Sequence, residues 1–315
     1  MNVGGLAQKV LKGDEKSAAR LISLIENGKP DGYAELSLLL PHTGKAHIIG
    51  VTGPPGAGKS TITGRLAVSL SDKGRKVGVV AVDPTSVRGG ALLADRLRMK
   101  DAEKQSIFIR SMAHRGHPGG VARAAAGAAC VLEGLGKEII LIESLGAGQA
   151  EKELFHLCDT VIILFTPEYG DEIQLLKAGL MEIGDILVVN KGDRPGAMDA
   201  EQELTRYCSG RPRTDGWTVP VLVTRAHRGE GVAELIDAIN KHWLFVAADE
   251  RKGKRKEEKI DAFLMSLLKE EVWKRFARAI ANNEEFIRIT EDAKQGRIDP
   301  YSAVEKILEK SALSL

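Results

Sequence analysis

The chain has only three cysteines in 315 residues, almost no net charge, and no apolar run near the roughly 20 residues that span a membrane. Each shortage excludes a class of protein. Cys130, Cys158 and Cys208 follow neither disulfide-framework nor zinc-ligand spacing, which suits a reducing compartment and predicts three small buried hydrophobes. The 45 basic residues are offset by 43 acidic ones, leaving a formal net charge of +2, so no bulk field favours nucleic acid. Any phosphate recognition has to be local, and neither nucleic acid nor a membrane is an expected partner. Met1–Val10 lacks both the basic-then-apolar pattern of a secretory signal and the Arg/Ser-rich character of a transit peptide, so the expected location is cytoplasmic.

What remains is ordinary for a globular protein: 43% hydrophobic and 28% charged residues, in a chain long enough for one α/β domain of about 200 residues with helical extensions. Residues 6–27 read as helical, with Asp14 as a cap and Ala18, Leu21, Ile22 and Ile25 at three-to-four-residue spacing, closing at Asn27-Gly28 before Pro30. From His47 the pattern changes to short apolar runs alternating with helical stretches. The runs are His47–Thr52, Lys76–Val82, Ile107–Arg110, Glu138–Ile142, Thr160–Phe165, Asp185–Asn190 and Val219–Val223. Several are rich in Val and Ile without polar alternation, as strands covered on both faces are. The expected fold is therefore α/β, a doubly wound, mostly parallel sheet. Residues 1–44 form an N-terminal helical extension, 45–246 the sheet domain and 247–315 a C-terminal helical arm. The arm opens with the charge run Arg251–Lys259, read as a solvated linker. Ile260, Phe263, Leu264, Leu267, Leu268 and Trp273 follow in helical register, and a separate helix starts at Asp299-Pro300. That apolar stripe packs on its own domain or on a second subunit, and dimerisation is the favoured expectation.

Gly53-Pro54-Pro55-Gly56-Ala57-Gly58-Lys59-Ser60 fits G-x-x-x-x-G-K-[ST] between a strand and the helical run that starts at Thr61. Glycines let backbone N–H groups curl around phosphates at a helix N-terminus, Lys59 reaches the β- and γ-phosphates, and Ser60 offers an oxygen to Mg²⁺. Magnesium also needs carboxylates from strand ends facing that loop. Three qualify: Glu143, followed by Gly146 where a glycine can approach a γ-phosphate; Asp83, closing a strand; and Asp95, in a loop with Gly89-Gly90. Lys59, Glu143 and Asp95 are the candidate catalytic residues, and a helix cap or surface acid is the bland alternative for Glu143. His114 and His117 flank glycines and prolines and have no ligand-spaced partner, which argues against a metal role.

At the end of the run 185–189 stands Asn190-Lys191-Gly192-Asp193, which resembles the guanine-specificity motif of GTPases. A carboxylate at Asp193 accepts from both N1–H and the 2-amino group of guanine, a donor pair that adenine lacks. Lys191 lays its stem along the base, and Asn190 tethers neighbouring loops. Arg225-Ala226-His227 sits where GTPases place Ser-Ala-x, whose backbone N–H meets guanine O6.

With these sites in place, the chain resembles the MeaB/ArgK/MMAA family of GTPases from its helical preface to its C-terminal arm. The resemblance is carried by the Gly13-Asp14 step within Leu11–Arg20, the phosphate loop, Asp83-Pro84-Thr85-Ser86, Arg96-Leu97-Arg98-Met99, Gly119-Gly120-Val121-Ala122, Glu143–Gln149 and Gly170-Asp171-Glu172-Ile173-Gln174. It implies a SIMIBI-type P-loop G domain with GTP or GDP as ligand. It further implies a homodimer that attends an adenosylcobalamin-dependent acyl-CoA mutase, with cobalamin held only through that partner. The family's third switch maps to Thr166–Lys177, where Asp171, Gln174 and Lys177 match its signalling positions. Two rivals are a metal-insertion GTPase, which needs a Cys/His cluster, and a nucleotide-dependent kinase linked to amino-acid transport, which the guanine motif disfavours.

Overall fold

Among the described residues seven short, mostly apolar strands form one parallel sheet in the order β3-β2-β4-β1-β5-β6-β7. They are β1 His47–Thr52, β2 Val77–Asp83, β3 Phe108–Ala113, β4 Ile139–Glu143, β5 Thr160–Phe165, β6 Ile186–Val189 and β7 Val221–Val223. The computed structural model describes residues 5–83, 107–113, 120–144, 155, 157–167, 181, 183–210 and 213–248; towards the C-terminus it describes 257, 261, 264–265, 268, 271–273, 275–278, 280 and 283–310. Two compact units are present, Met1–Phe263 and Leu264–Leu315.

The period-two alternation of β5 shows why both faces are covered. Val161, Ile163 and Phe165 join one core cluster, with Leu21, Ile22, Ala128 and Leu132, while Ile162 and Leu164 join a second, with Leu66, Ala67, Leu235 and Ile239. The first face carries α1 Gly5–Leu11, α2 Glu15–Glu26, α3 Pro30–Leu39, α5 Gly120–Gly134 and α6 Ala197–Ser209. The second carries α4 Lys59–Asp72 and α7 Val232–Ala247.

The helical preface shares the core of the sheet domain. Asp14 caps α2 by accepting from Lys16 N at 3.0 Å and Ser17 Oγ at 2.7 Å, and the Ser17 bond holds its carboxyl below the usual carboxylate value. The helix stops where the sequence reading stopped it, with Gly28 at φ +65° and its N–H on Ile25 O. Pro30 then opens α3 as a first-turn residue, a helix that periodicity did not delimit. Arg110 of β3 reaches Glu26 Oε2 at 2.7 Å and Ser23 Oγ at 3.0 Å. On α5, Gly127 has no Cβ where one would lie 2.6 Å from Ile25 Cγ2, so α2 packs close.

At the amino edge of the sheet, Thr160 Oγ1 lies 2.7 Å from His47 Nε2 and 2.8 Å from His242 Nδ1. His242 Nε2 is 3.2 Å from Asp185 Oδ1 but off-line for a hydrogen bond. One hydroxyl bonded to two imidazoles closes this edge over buried side chains.

The expectation of three buried cysteines needs correcting. Cys158 is buried against Gly50, whereas Cys130 on α5 and Cys208 in the last turn of α6 are partly exposed. Desolvation still pushes the Cys130 thiol up to about 11, which makes it a poor nucleophile.

In the second unit, α8 Glu284–Lys294 is capped by Asn283, and α9 Pro300–Lys310 by Asp299, which accepts from Tyr301 N and Ser302 N. Leu264, Leu268 and Trp273 of the predicted stripe are exposed, while Ile260, Phe263 and Leu267 lie outside the described residues.

Leu21 is fully buried, so Leu21→Ala should lower the unfolding free energy of the whole domain by about 2–5 kcal/mol in chemical denaturation. A loss below about 0.5 kcal/mol, the range of surface changes, would mark the preface as an appendage.

Candidate nucleotide site

All strands point the same way, so the ends of β1, β2, β4, β5, β6 and β7 meet at one edge, where open α/β sheets bind ligands. From β1 the chain enters the loop Gly53–Gly58 and turns into α4 at Lys59. Gly53 has φ +144°, and a Cβ there would collide with the Leu164 carbonyl; Gly56 at φ +79° and Gly58 at φ +93° complete a curl closed to L side chains. Lys59 Nζ donates to Gly53 O at 2.8 Å and Pro54 O at 3.0 Å, holding the ammonium inside the curl. The N-terminal end of the α4 dipole adds positive potential at the same place.

Glu143 comes from β4, the neighbour of β1, in register opposite Val51. Ser60 Oγ donates to Glu143 Oε1 at 2.6 Å, both residues being buried, and Ser144 Oγ donates to Thr52 Oγ1 at 3.0 Å. The structure thus joins a hydroxyl and a carboxylate that lie 83 residues apart in the chain. Both are hard oxygen donors, the set a Mg²⁺ ion takes. Asp83 ends β2 on the same edge. Asp95, Gly146, Asp171, Gln174 and Lys177, with His114 and His117, lie outside the described residues.

Asn190 follows β6 and is buried. Its Nδ2 donates to Ala57 O at 2.7 Å, and its Oδ1 accepts from Thr224 Oγ1 at 3.1 Å and Ala226 N at 3.2 Å. One carboxamide thereby ties the phosphate loop to the segment after β7. The space that a Cβ on Gly58 would need is filled by Asn190 Nδ2. Lys191 has φ +58°, the one left-handed non-glycine among the described residues, a strained conformation that turns the chain towards an exposed Asp193. Gly192 permits this turn, because a Cβ there would lie 2.5 Å from Val223 Cγ1.

After β7, Ala226–Arg228 forms a 3-10 turn. It is braced by Arg225, whose N–H donates to Glu230 O at 3.0 Å and whose Nη1 lies 2.7 Å from Glu230 Oε2. Thr224 and Arg65 escaped the sequence reading. Arg65, on α4, donates from Nε to Ala226 O at 3.2 Å and from Nη2 to His227 O at 3.1 Å. An arginine in the middle of a helix carries no motif that would have exposed it. A cavity of about 480 Å³ between α6 and β7, lined by Thr205, Cys208, Arg213 and Trp217 among others, contains none of the motif residues.

Asn190→Ala leaves three buried partners short of a hydrogen bond, so guanine-nucleotide affinity should fall by about 2–3 kcal/mol, roughly 30- to 150-fold. Calorimetric titration with GDP checks this, and an unchanged dissociation constant would separate the tether from nucleotide binding.

Comparison with known proteins places this geometry. Residues 18–281 match the family described as methylmalonyl Co-A mutase-associated GTPase MeaB. A Pyrococcus abyssi protein provisionally named a GTPase is 40% identical over 314 residues, covering 97% of this chain and 95% of its own length. The mitochondrial methylmalonic aciduria type A homolog of Caenorhabditis elegans is 29% identical over 330 residues, covering 98% of this chain and 82% of its own. Among solved structures, one titled LAO/AO transport system kinase superposes with a TM-score of 0.74 at 23% identity, covering 98% of each chain, which speaks for the fold alone. Because the match takes in the phosphate loop, the Asn190 tether and most of the helical preface together, the chain belongs to the MeaB family of methylmalonyl-CoA mutase-associated GTPases.

Proposed function

We propose that this GTPase is a nucleotide-operated chaperone of an adenosylcobalamin-dependent acyl-CoA mutase. GTP binding and hydrolysis gate loading, protection or reactivation of the mutase's cobalamin, and this chain touches the cofactor only through its partner. The observation that carries the reading is the length of the family match, which runs from the preface into the arm and so includes more than a generic nucleotide domain. In this reading the protein works in the cytoplasm as a homodimer joined through the arm, where Leu264, Leu268 and Trp273 offer exposed apolar surface.

The described residues divide the chemistry among them. Asp193 accepts from N1–H and the 2-amino group of guanine, which selects GTP over ATP. Backbone N–H groups of the Gly56–Thr61 segment and Lys59 stabilise the charge that grows on the β–γ bridging oxygen and γ-phosphoryl group as the terminal bond breaks. Ser60 and Glu143, with Asp83 and Asp95, would be the oxygen donors for Mg²⁺, which would supply further neutralisation of the phosphate charge. Gly146, three residues after Glu143 in the sequence, is the candidate sensor of the γ-phosphate. Asp171, Gln174 and Lys177 relay that state to the mutase, since in the sequence they follow β5 without belonging to a nucleotide motif.

Two measurements test these assignments. Asp193→Asn should lose GTP affinity by at least about tenfold and gain xanthosine triphosphate, because the new amide donates to the carbonyl that replaces the 2-amino group. Retained GTP preference would remove Asp193 from the base site. Hydrolysis should be slow for the free protein and rise on adding the client mutase, whereas Gln174→Ala/Lys177→Ala should keep GTP affinity yet lose most of that stimulation. Equal turnover with and without every acyl-CoA mutase tried would sink the chaperone reading.

A further inference from the structure

Arg65 projects from α4, the helix whose first turn carries Lys59, Ser60 and Thr61, and it grips two consecutive carbonyls on the far side of the site. Its Nε bonds Ala226 O at 3.2 Å and its Nη2 bonds His227 O at 3.1 Å, so a planar guanidinium holds two peptide planes in fixed orientation. In a trans peptide the N–H points opposite to the C=O of the same plane. The plane whose carbonyl is Ala226 O carries the His227 N–H, and that N–H has no acceptor among the described residues. The neighbouring Ala226 N–H is already directed to Asn190 Oδ1 at 3.2 Å, and Arg228 N bonds Arg225 O at 2.9 Å. Of the three N–H groups in the 3-10 turn, His227's is therefore the one left to meet a ligand.

We infer that Arg65 is a positioning residue for guanine recognition: it aims the His227 N–H at the 6-oxo group of the base. The inference rests on the reading that residues 225–227 face guanine O6. Arg65 also links the two ends of the nucleotide, because the arginine that sets the base loop stands on the helix that begins at the phosphate loop. The Asn190 carboxamide makes a second, independent link between the same loops. The two differ in what they fix. Asn190 sets the separation of the loops, whereas Arg65 sets the rotation of one peptide plane.

That difference gives a test that a purely structural role would not pass. The probes are GDP, 6-thio-GDP and IDP, titrated by calorimetry against the parent protein, Arg65→Ala and Arg65→Lys. In 6-thio-GDP the N1–H and 2-amino group remain, but sulfur, a weak acceptor, replaces O6; IDP keeps O6 and lacks only the 2-amino group. The parent should prefer GDP to 6-thio-GDP. Arg65→Ala should reduce that preference by about tenfold while leaving 6-thio-GDP affinity and the GDP-to-IDP ratio close to those of the parent. Arg65→Lys, which keeps the stem but has no fork for two carbonyls, should fall between them, and it carries the same ratio test if the alanine variant does not fold. An equal proportional loss for GDP and 6-thio-GDP would reduce Arg65 to a packing role, and unchanged affinities would remove it from the site. A parent protein that binds both nucleotides equally would overturn the underlying placement of residues 225–227 against O6, an outcome distinguishable from failure of Arg65 alone.

Discussion

The Asn190 carboxamide makes three hydrogen bonds inside a buried site, one to the phosphate loop and two to the segment after β7, and the geometry of the nucleotide site rests on them. A nucleotide is long and semi-rigid, so the distance between its phosphate and base subsites has to be set before it arrives if binding is not to carry the cost of ordering both loops. A buried amide does this well, because its donor and acceptor face opposite ways and each unmade bond is costly. The glycine pattern of the loop follows from the same constraint. Gly58 is bare where Asn190 Nδ2 needs the space, and Gly53 is bare where the Leu164 carbonyl passes.

Parallel strands make such a tether possible. Every strand delivers its C-terminal residue to one edge, so polar groups from distant parts of the chain converge there, while the other edge is closed by His47, Thr160, His242 and Asp185. The insertion of β4 between β2 and β1 matters most for chemistry, since it sets Glu143 beside Ser60. The helical preface is tied to this scaffold by the salt bridge from Arg110 to Glu26 and by the close approach of Ile25 to Gly127. It is part of the first core cluster and covers a sheet face that would otherwise meet water.

Much of this was legible in the sequence, and for local reasons. The phosphate loop is contiguous, and its glycines, lysine and serine each have a role that depends only on a strand before and a helix after. The runs of Val and Ile identified strands covered on both faces, and the caps Asp14 and Asp299 marked helix starts, because a capping bond spans two or three residues. The reading of Asn190–Asp193 as a candidate base site came from the chemistry of guanine itself. The start of α3 at Pro30 was harder, since a proline two residues past a helix-ending glycine signals a stop as readily as a first turn.

Tertiary structure alone decided the rest. Nothing local says that β4 lies between β2 and β1, so the 2.6 Å contact of Ser60 with Glu143 is set by crossover order. Arg65 is 161 residues from Ala226, and in the sequence it is one polar position on an amphipathic helix; only the packing of α4 beside the turn after β7 makes it a clamp. The same holds for Cys130 and Cys208, whose exposure depends on which helix face is covered. The sequence by itself determined which groups are the candidates for phosphate and base, because those chemistries are written in adjacent residues. Only the fold decided how far apart they stand and which side chains hold them there, because distances between segments are fixed by sheet order and helix packing, which no short stretch of residues encodes.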